Sequence, residues 1–230
     1  MHSMPFSLDL ATVLFLLWIF IIAPVLAVLA WLKLRSGKPL RPKIWRFQVG
    51  CLVLAVEGAL ALAAGASNSV TLSFRLPSTY ILLGIFMALL MVLSIHRRWQ
   101  KIDAQHRSRQ LKLFGPEKTS EWYWSILIGL CAAIFEEIAY RGVLFGLLLR
   151  VLPTFTAAAV CILAFALAHV TQGVRGFTGV AIIGILFHIL LALTGSLTAG
   201  IVLHAVYDVG LFTVMYRMSN KERATAAAAL

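Results

Sequence analysis

The stretch Trp122–Leu149 reads WYWSILIGLCAAIFEEIAYRGVLFGLLL. It carries no charge from Trp122 to Phe135, meets Glu136, Glu137 and Arg141, and is apolar again to Leu149. As α-helix it would run ~42 Å, more than the ~30 Å hydrocarbon core of a bilayer requires. The spacing therefore predicts a membrane helix that tilts, kinks near the glutamates, or divides in two. A carboxylate inside such a span costs about 2.5–3.5 kcal/mol or more, so residues of this kind are held there by function.

The rest of the chain agrees. Of 230 residues, 61% are hydrophobic and 13% charged, and mean hydropathy is +0.92, values of a membrane protein. Seven spans are expected, or eight if Trp122–Leu149 divides. They lie at about Leu10–Leu32, Phe47–Ala66, Leu76–Ile95, Trp122–Leu149, Phe155–Thr171, Phe177–Leu193 and Leu197–Tyr216. The first is read as a span and not a signal peptide, because no basic segment precedes it and Lys33 and Arg35 follow as a stop. Trp122-Tyr123-Trp124 reads as an interfacial anchor.

The net charge of +11 sits in short loops beside apolar segments. One holds Lys33, Arg35, Lys38, Arg41, Lys43 and Arg46; another holds Arg97, Arg98, Lys101, Arg107, Arg109, Lys112 and Lys118. With the N-terminus outside and the C-terminus cytoplasmic, every basic residue but Arg75, Arg141 and Arg150 falls on the cytoplasmic side. The placement speaks for anionic lipid as partner and against nucleic acid. Within the second loop, His96–Gly115 mixes apolar and basic residues, as either an amphipathic surface helix or a solvated loop would. The tail after Arg217 is expected to be short, with an Ala-rich end that is disordered or weakly helical. Cys51, Cys131 and Cys161 lie in apolar segments without a C-x-x-C pair and read as packing residues.

Helix spacing sorts the intramembrane polar groups. Glu137 and Arg141, four apart, can pair. Glu136 points about 100° away from Glu137, toward Ala132, Ala133 and Tyr140, so the two carboxylates have different tasks. Phe165 and His169 share a face, as do His204 and Asp208, where the aspartate can orient the histidine. His188 reads as a core histidine bonded to a backbone carbonyl. Glu57 has no partner by spacing and is a candidate to line the same cavity.

Three segments, in order, resemble the motifs of the CPBP family, the CAAX proteases and bacteriocin-processing enzymes also called Abi proteins. Glu136-Glu137-Ile138-Ala139-Tyr140-Arg141 resembles EExxxR; Phe165-Ala166-Leu167-Ala168-His169 resembles FxxxH; Thr194-Gly195-Ser196-Leu197, leading to His204-Ala205-Val206-Tyr207-Asp208, resembles the third motif, HxxxN or HxxxD. The resemblance covers about Glu121 to Tyr216. Composition and apolar runs give one all-α, polytopic integral membrane domain over 1–230, with three spans and basic loops in 1–121; the resemblance implies a catalytic core in 122–216.

It also implies an intramembrane glutamic endopeptidase acting on a membrane-anchored or lipidated peptide, without a cofactor, in a bacterial inner membrane. Glu136 and His169 would activate water, and His204 and Asp208 would stabilise the oxyanion. Glu137 and Arg141, with Phe165 and Tyr140, would support the site. Prenyl-protein members have asparagine where this chain has Asp208, and an ionised aspartate cannot donate to an oxyanion, so Asp208 is expected to orient His204. Two alternatives stay open: Glu136, His169 and His204 as ligands of a catalytic Zn2+, and a non-catalytic scaffold, immunity protein or proton-coupled transporter. The depth of His169 suggests that its helix continues to about Val174.

Overall fold

The computed structural model describes residues 6–36, 39–75 and 80–227. Lys38 of the first basic loop and Leu76, the expected start of the third span, lie outside the described residues. The described residues are helical and contain no strand. The helices are α1 Leu10–Arg35, α2 Lys43–Ser67, α3 Ile81–Lys101, α4 Ala104–Phe114, α5 Thr119–Glu136, α6 Thr154–Ala168, α7 Gly173–Thr194 and α8 Leu197–Ala227. Four of them, α1, α2, α7 and α8, are long and apolar enough to cross a membrane. Many large apolar side chains on their flanks are exposed (Leu10 75%, Leu52 64%, Leu193 58%), as a surface solvated by lipid requires.

The Trp122–Leu149 stretch does not break. Below Glu136 the α-helix widens into a π-helical segment, Glu137–Leu144, and resumes at Phe145–Leu148. π-segments are rare and gather at functional sites. α8 runs on to Ala227, so the Ala-rich tail takes the helical alternative over its described part. The basic loop takes the helical alternative as α4. Its Leu111 is buried with Ile95, Trp99 and Met215, so the apolar side chains of that segment serve a protein core.

The chain divides into two compact units, the first Met1–Leu40, Leu54–Leu76 and Phe135–Gly200, the second Arg41–Val53, Pro77–Ile134 and Ile201–Leu230. In the first unit, Asp9 caps α1, its Oδ1 accepting from the Thr12 N–H at 2.8 Å. Asn68 clasps three segments: it accepts from the Ser7 N–H (2.7 Å), donates to Thr12 Oγ1 (2.7 Å), and its carbonyl accepts from Arg150 (2.5 Å). The buried stripe Glu57, Ala61, Ala64, Asn68 follows helical spacing, and small residues let the backbone come close. Gly65 is one of these, with Val143 only 3.0 Å from where its Cβ would lie.

In the second unit two loop cations have a structural task. Lys43 Nζ donates to the carbonyls of Leu111 (3.2 Å) and Gly115 (2.7 Å) and pairs with Glu117. Arg46 donates to the Leu113 carbonyl at 2.7 Å. Both cations sit where the carbonyls at the C-terminal end of α4 gather partial negative charge. Trp122, expected as an interfacial anchor, stacks on Tyr216 with centroids 5.9 Å apart.

The third-motif segment is a helix junction. Gly195 ends α7 in the left-handed region (φ 62°), where a side chain is strained. Ser196 Oγ then caps α8 by accepting from the Thr198 N–H at 3.2 Å. The segment Ser73–Phe74 docks here, the Leu197 N–H donating to the Ser73 carbonyl (2.9 Å) and Thr198 Oγ1 to the Phe74 carbonyl (2.6 Å).

Candidate active site

Glu136 and His169 meet in the first unit, Glu136 Oε1 to His169 Nε2 being 3.8 Å. Both side chains are largely buried. His169 does not sit inside a longer helix. The α-helical part of α6 stops at Ala168, His169 caps it (φ −106°, ψ 13°), and a 3-10 turn, Val170–Gln172, leads into α7. The expected extension to Val174 is thereby corrected. The helix ends where the imidazole competes for its last carbonyls: His169 Nδ1 lies 2.9 Å from the Phe165 carbonyl. A carbonyl only accepts, so Nδ1 carries the proton and Nε2 of the neutral ring presents a lone pair toward Glu136. A separation of 3.8 Å between two acceptors suits a water that donates to both.

Glu137 and Arg141 form the expected pair at 3.3 Å, and both are buried (1% and 2% exposed). Such a pair pays for its desolvation only when further contacts hold it. Here Arg141 lies over the Phe165 ring at 4.2 Å and over the Phe187 ring at 5.6 Å. Phe165 also meets the His169 ring at 4.6 Å and the Tyr140 ring edge-on at 5.2 Å. Phe165 is thus the common wall between the ion pair and the Glu136–His169 pair. Tyr140 is fully buried, and its hydroxyl has no hydrogen-bond partner among the described residues.

In the second unit, His204 Nε2 and Asp208 Oδ2 lie 3.7 Å apart along α8. Gly129 makes the room: a Cβ there would come 2.9 Å from Asp208 Cβ. Glu57 and His188, to which spacing gave no side-chain partner, belong to the first unit. Trp18 Nε1–H donates to Glu57 Oε2 at 3.0 Å, from a π-helical turn of α1, Trp18–Ile22. His188 Nδ1 lies 3.0 Å from the Gly184 carbonyl, the backbone contact expected of it.

Sequence spacing missed the glycines that shape the site. Gly200 is the clearest, since a Cβ there would come 2.9 Å from Glu137 Oε2. The available signal was glycine itself, which costs about 1 kcal/mol against alanine inside a helix and so marks a close approach. Gly200→Ala is expected to push the Glu137 carboxylate off Arg141 and to lower stability by about 1–3 kcal/mol. Gly179→Ala on α7, where nothing lies within 4 Å of the new methyl, is expected to be neutral or slightly stabilising. Unfolding of the two variants side by side in detergent checks the contrast.

Among the described residues no three His, Cys, Asp or Glu side chains gather as metal ligands do. No curated protein and no solved structure matches the chain. A family model does: residues 118–210, under half of the chain, match Rce1-like, type II CAAX prenyl endopeptidase. The matched span contains Glu136, Glu137, Arg141, Phe165, His169, His204 and Asp208. With four apolar helices of membrane-crossing length among the described residues, this supports an integral membrane protein. Over residues 118–210 the chain is thus similar to the Rce1-like type II CAAX prenyl endopeptidases.

Proposed function

We propose that the protein is an intramembrane glutamic endopeptidase that hydrolyses a peptide bond of a membrane-anchored or lipidated substrate. The observation that carries this reading is the Glu136–His169 pair, 3.8 Å apart, with the histidine tautomer set by the Phe165 carbonyl. Glu136 takes a proton from the water held between them, and the nascent hydroxide attacks the scissile carbonyl carbon. The tetrahedral intermediate then collapses, its C–N bond breaks, and Glu136 returns the proton to the leaving amine. The oxyanion role of His204 and Asp208 rests on the family motif. Its weight is about 2.7–4 kcal/mol for one well-placed donor. Seven or eight spans, N-terminus out, in a bacterial inner membrane with anionic lipid at the basic loops, complete the reading. The positive-inside pattern supports that part.

The test is cleavage of membrane-anchored peptides by purified protein in liposomes, with and without a zinc chelator. Cleavage indifferent to chelator is expected. Loss with chelator and recovery on adding zinc would replace the glutamic mechanism with a metal-dependent one. In the same assay Asp208→Asn is expected to keep substantial activity and His204→Ala to lose most of it, since asparagine can still orient the imidazole. A folded but inactive Asp208→Asn protein overturns the orienting role.

A further inference from the structure

A cavity of about 1020 Å3 lies within the first unit, at the upper end of the range for ligand pockets. Its walls are mostly apolar side chains of α6, α7, the turn Phe145–Leu149 and the Val70–Ser73 segment. Two buried polar side chains line it, Arg141 and His188. Neither is satisfied. Arg141 has its ion pair with Glu137, yet Nε, Nη1 and Nη2 make no hydrogen bond among the described residues, and neither does His188 Nε2. Buried groups in that state cost about 1–3 kcal/mol each, more when charged, and call for a ligand.

The chemistry of the two groups differs. Arg141 offers only donors. His188 Nδ1 faces the Gly184 carbonyl at 3.0 Å and must donate to it, so Nε2 of the neutral ring accepts. The groups are neighbours, for Arg141 Nη2 lies 3.4 Å from where a Gly184 Cβ would be, one turn from His188 on α7. A ligand that answers both brings an acceptor and a donor side by side. A carboxylate does not, because it would face the lone pair of Nε2 and the charge of Glu137, which already balances Arg141. A neutral amide does.

We propose that this cavity binds a main-chain amide of the peptide substrate, its C=O accepting from Arg141 and its N–H donating to His188, with neighbouring apolar side chains in the cavity. His188 is then a substrate-positioning residue. The inference rests on the endopeptidase reading for the identity of the peptide. Arg141 reaches one side of the Phe165 wall and His169 touches the same ring, so the bound amide is a bond next to the one cleaved and not the scissile bond itself.

The test uses a short apolar peptide, acetylated and amidated at its ends, and a series in which each backbone amide in turn becomes an ester. The ester keeps the C=O and removes the N–H. Binding is read in detergent by titration, and cleavage is read separately. One ester position other than the cleaved bond is expected to weaken binding to the parent protein about tenfold. His188→Phe, which keeps the ring against Phe145, is expected to weaken the all-amide peptide by a similar factor and to be blind to that ester. Additive losses, insensitivity to every ester, or no binding of the peptide overturn the proposal; so does unchanged binding to His188→Phe, the result if the two groups hold a water only. Should His188→Phe fail to fold, the ester series on the parent protein decides alone. Peptide bound through His188 but never cleaved defeats the protease reading and leaves this site standing; cleavage without an ester-sensitive position does the reverse.

Discussion

Glu136→Gln is expected to lower peptide cleavage by about 10²–10⁴-fold, the usual worth of a general base, while leaving the protein folded. The side chain keeps its shape and loses only its capacity to take a proton. Glu136 is buried at the junction of the α-helix and the π-segment, with His169 Nε2 at 3.8 Å. Removing a carboxylate from that setting relieves a desolvation cost, so melting in detergent is expected to stay level or rise. His169→Ala is expected to lose activity on the same scale, and the double variant to be little worse than either single one, as groups that act on one water do. A folded Glu136→Gln protein that cleaves at the parent rate would remove Glu136 from the chemistry.

Arg141→Met is expected to be the most destabilising single change in the core, at about 3–5 kcal/mol. It leaves the Glu137 carboxylate, 1% exposed, without its countercharge. Pairing it with Glu137→Gln removes the stranded charge, so the double variant is expected to recover most of the loss. The recovery is incomplete because the contact of the guanidinium with the Phe165 ring, worth about 0.5–2 kcal/mol, is gone in both. Activity should not recover in parallel, since Phe165 braces His169. Denaturant unfolding of the two singles and the double forms a cycle that measures the coupling. Equal stability of Arg141→Met and the double variant would show that the pair contributes nothing to the fold.

Much of this was legible in the chain. Apolar runs of bilayer length set the helical class, because a backbone in lipid must satisfy its own hydrogen bonds. Four-residue spacing paired Glu137 with Arg141 and His204 with Asp208, because helix geometry alone brings such residues to one face. The ordered motifs named the family that residues 118–210 match. What spacing along one helix cannot give is a partner from another. That Trp18 reaches Glu57 across 39 positions, and that Glu136 meets His169, depend on how helices cross. So does the room that Gly200 leaves for Glu137 and Gly129 for Asp208. The tautomer of His169 waited on the Phe165 carbonyl, which is released only because α6 stops at Ala168. Sequence by itself determined which groups are polar in an apolar setting, since that is a matter of composition and period. Only the tertiary structure decided which of them face one another and what each holds, because that is set by close approach between helices distant in the chain.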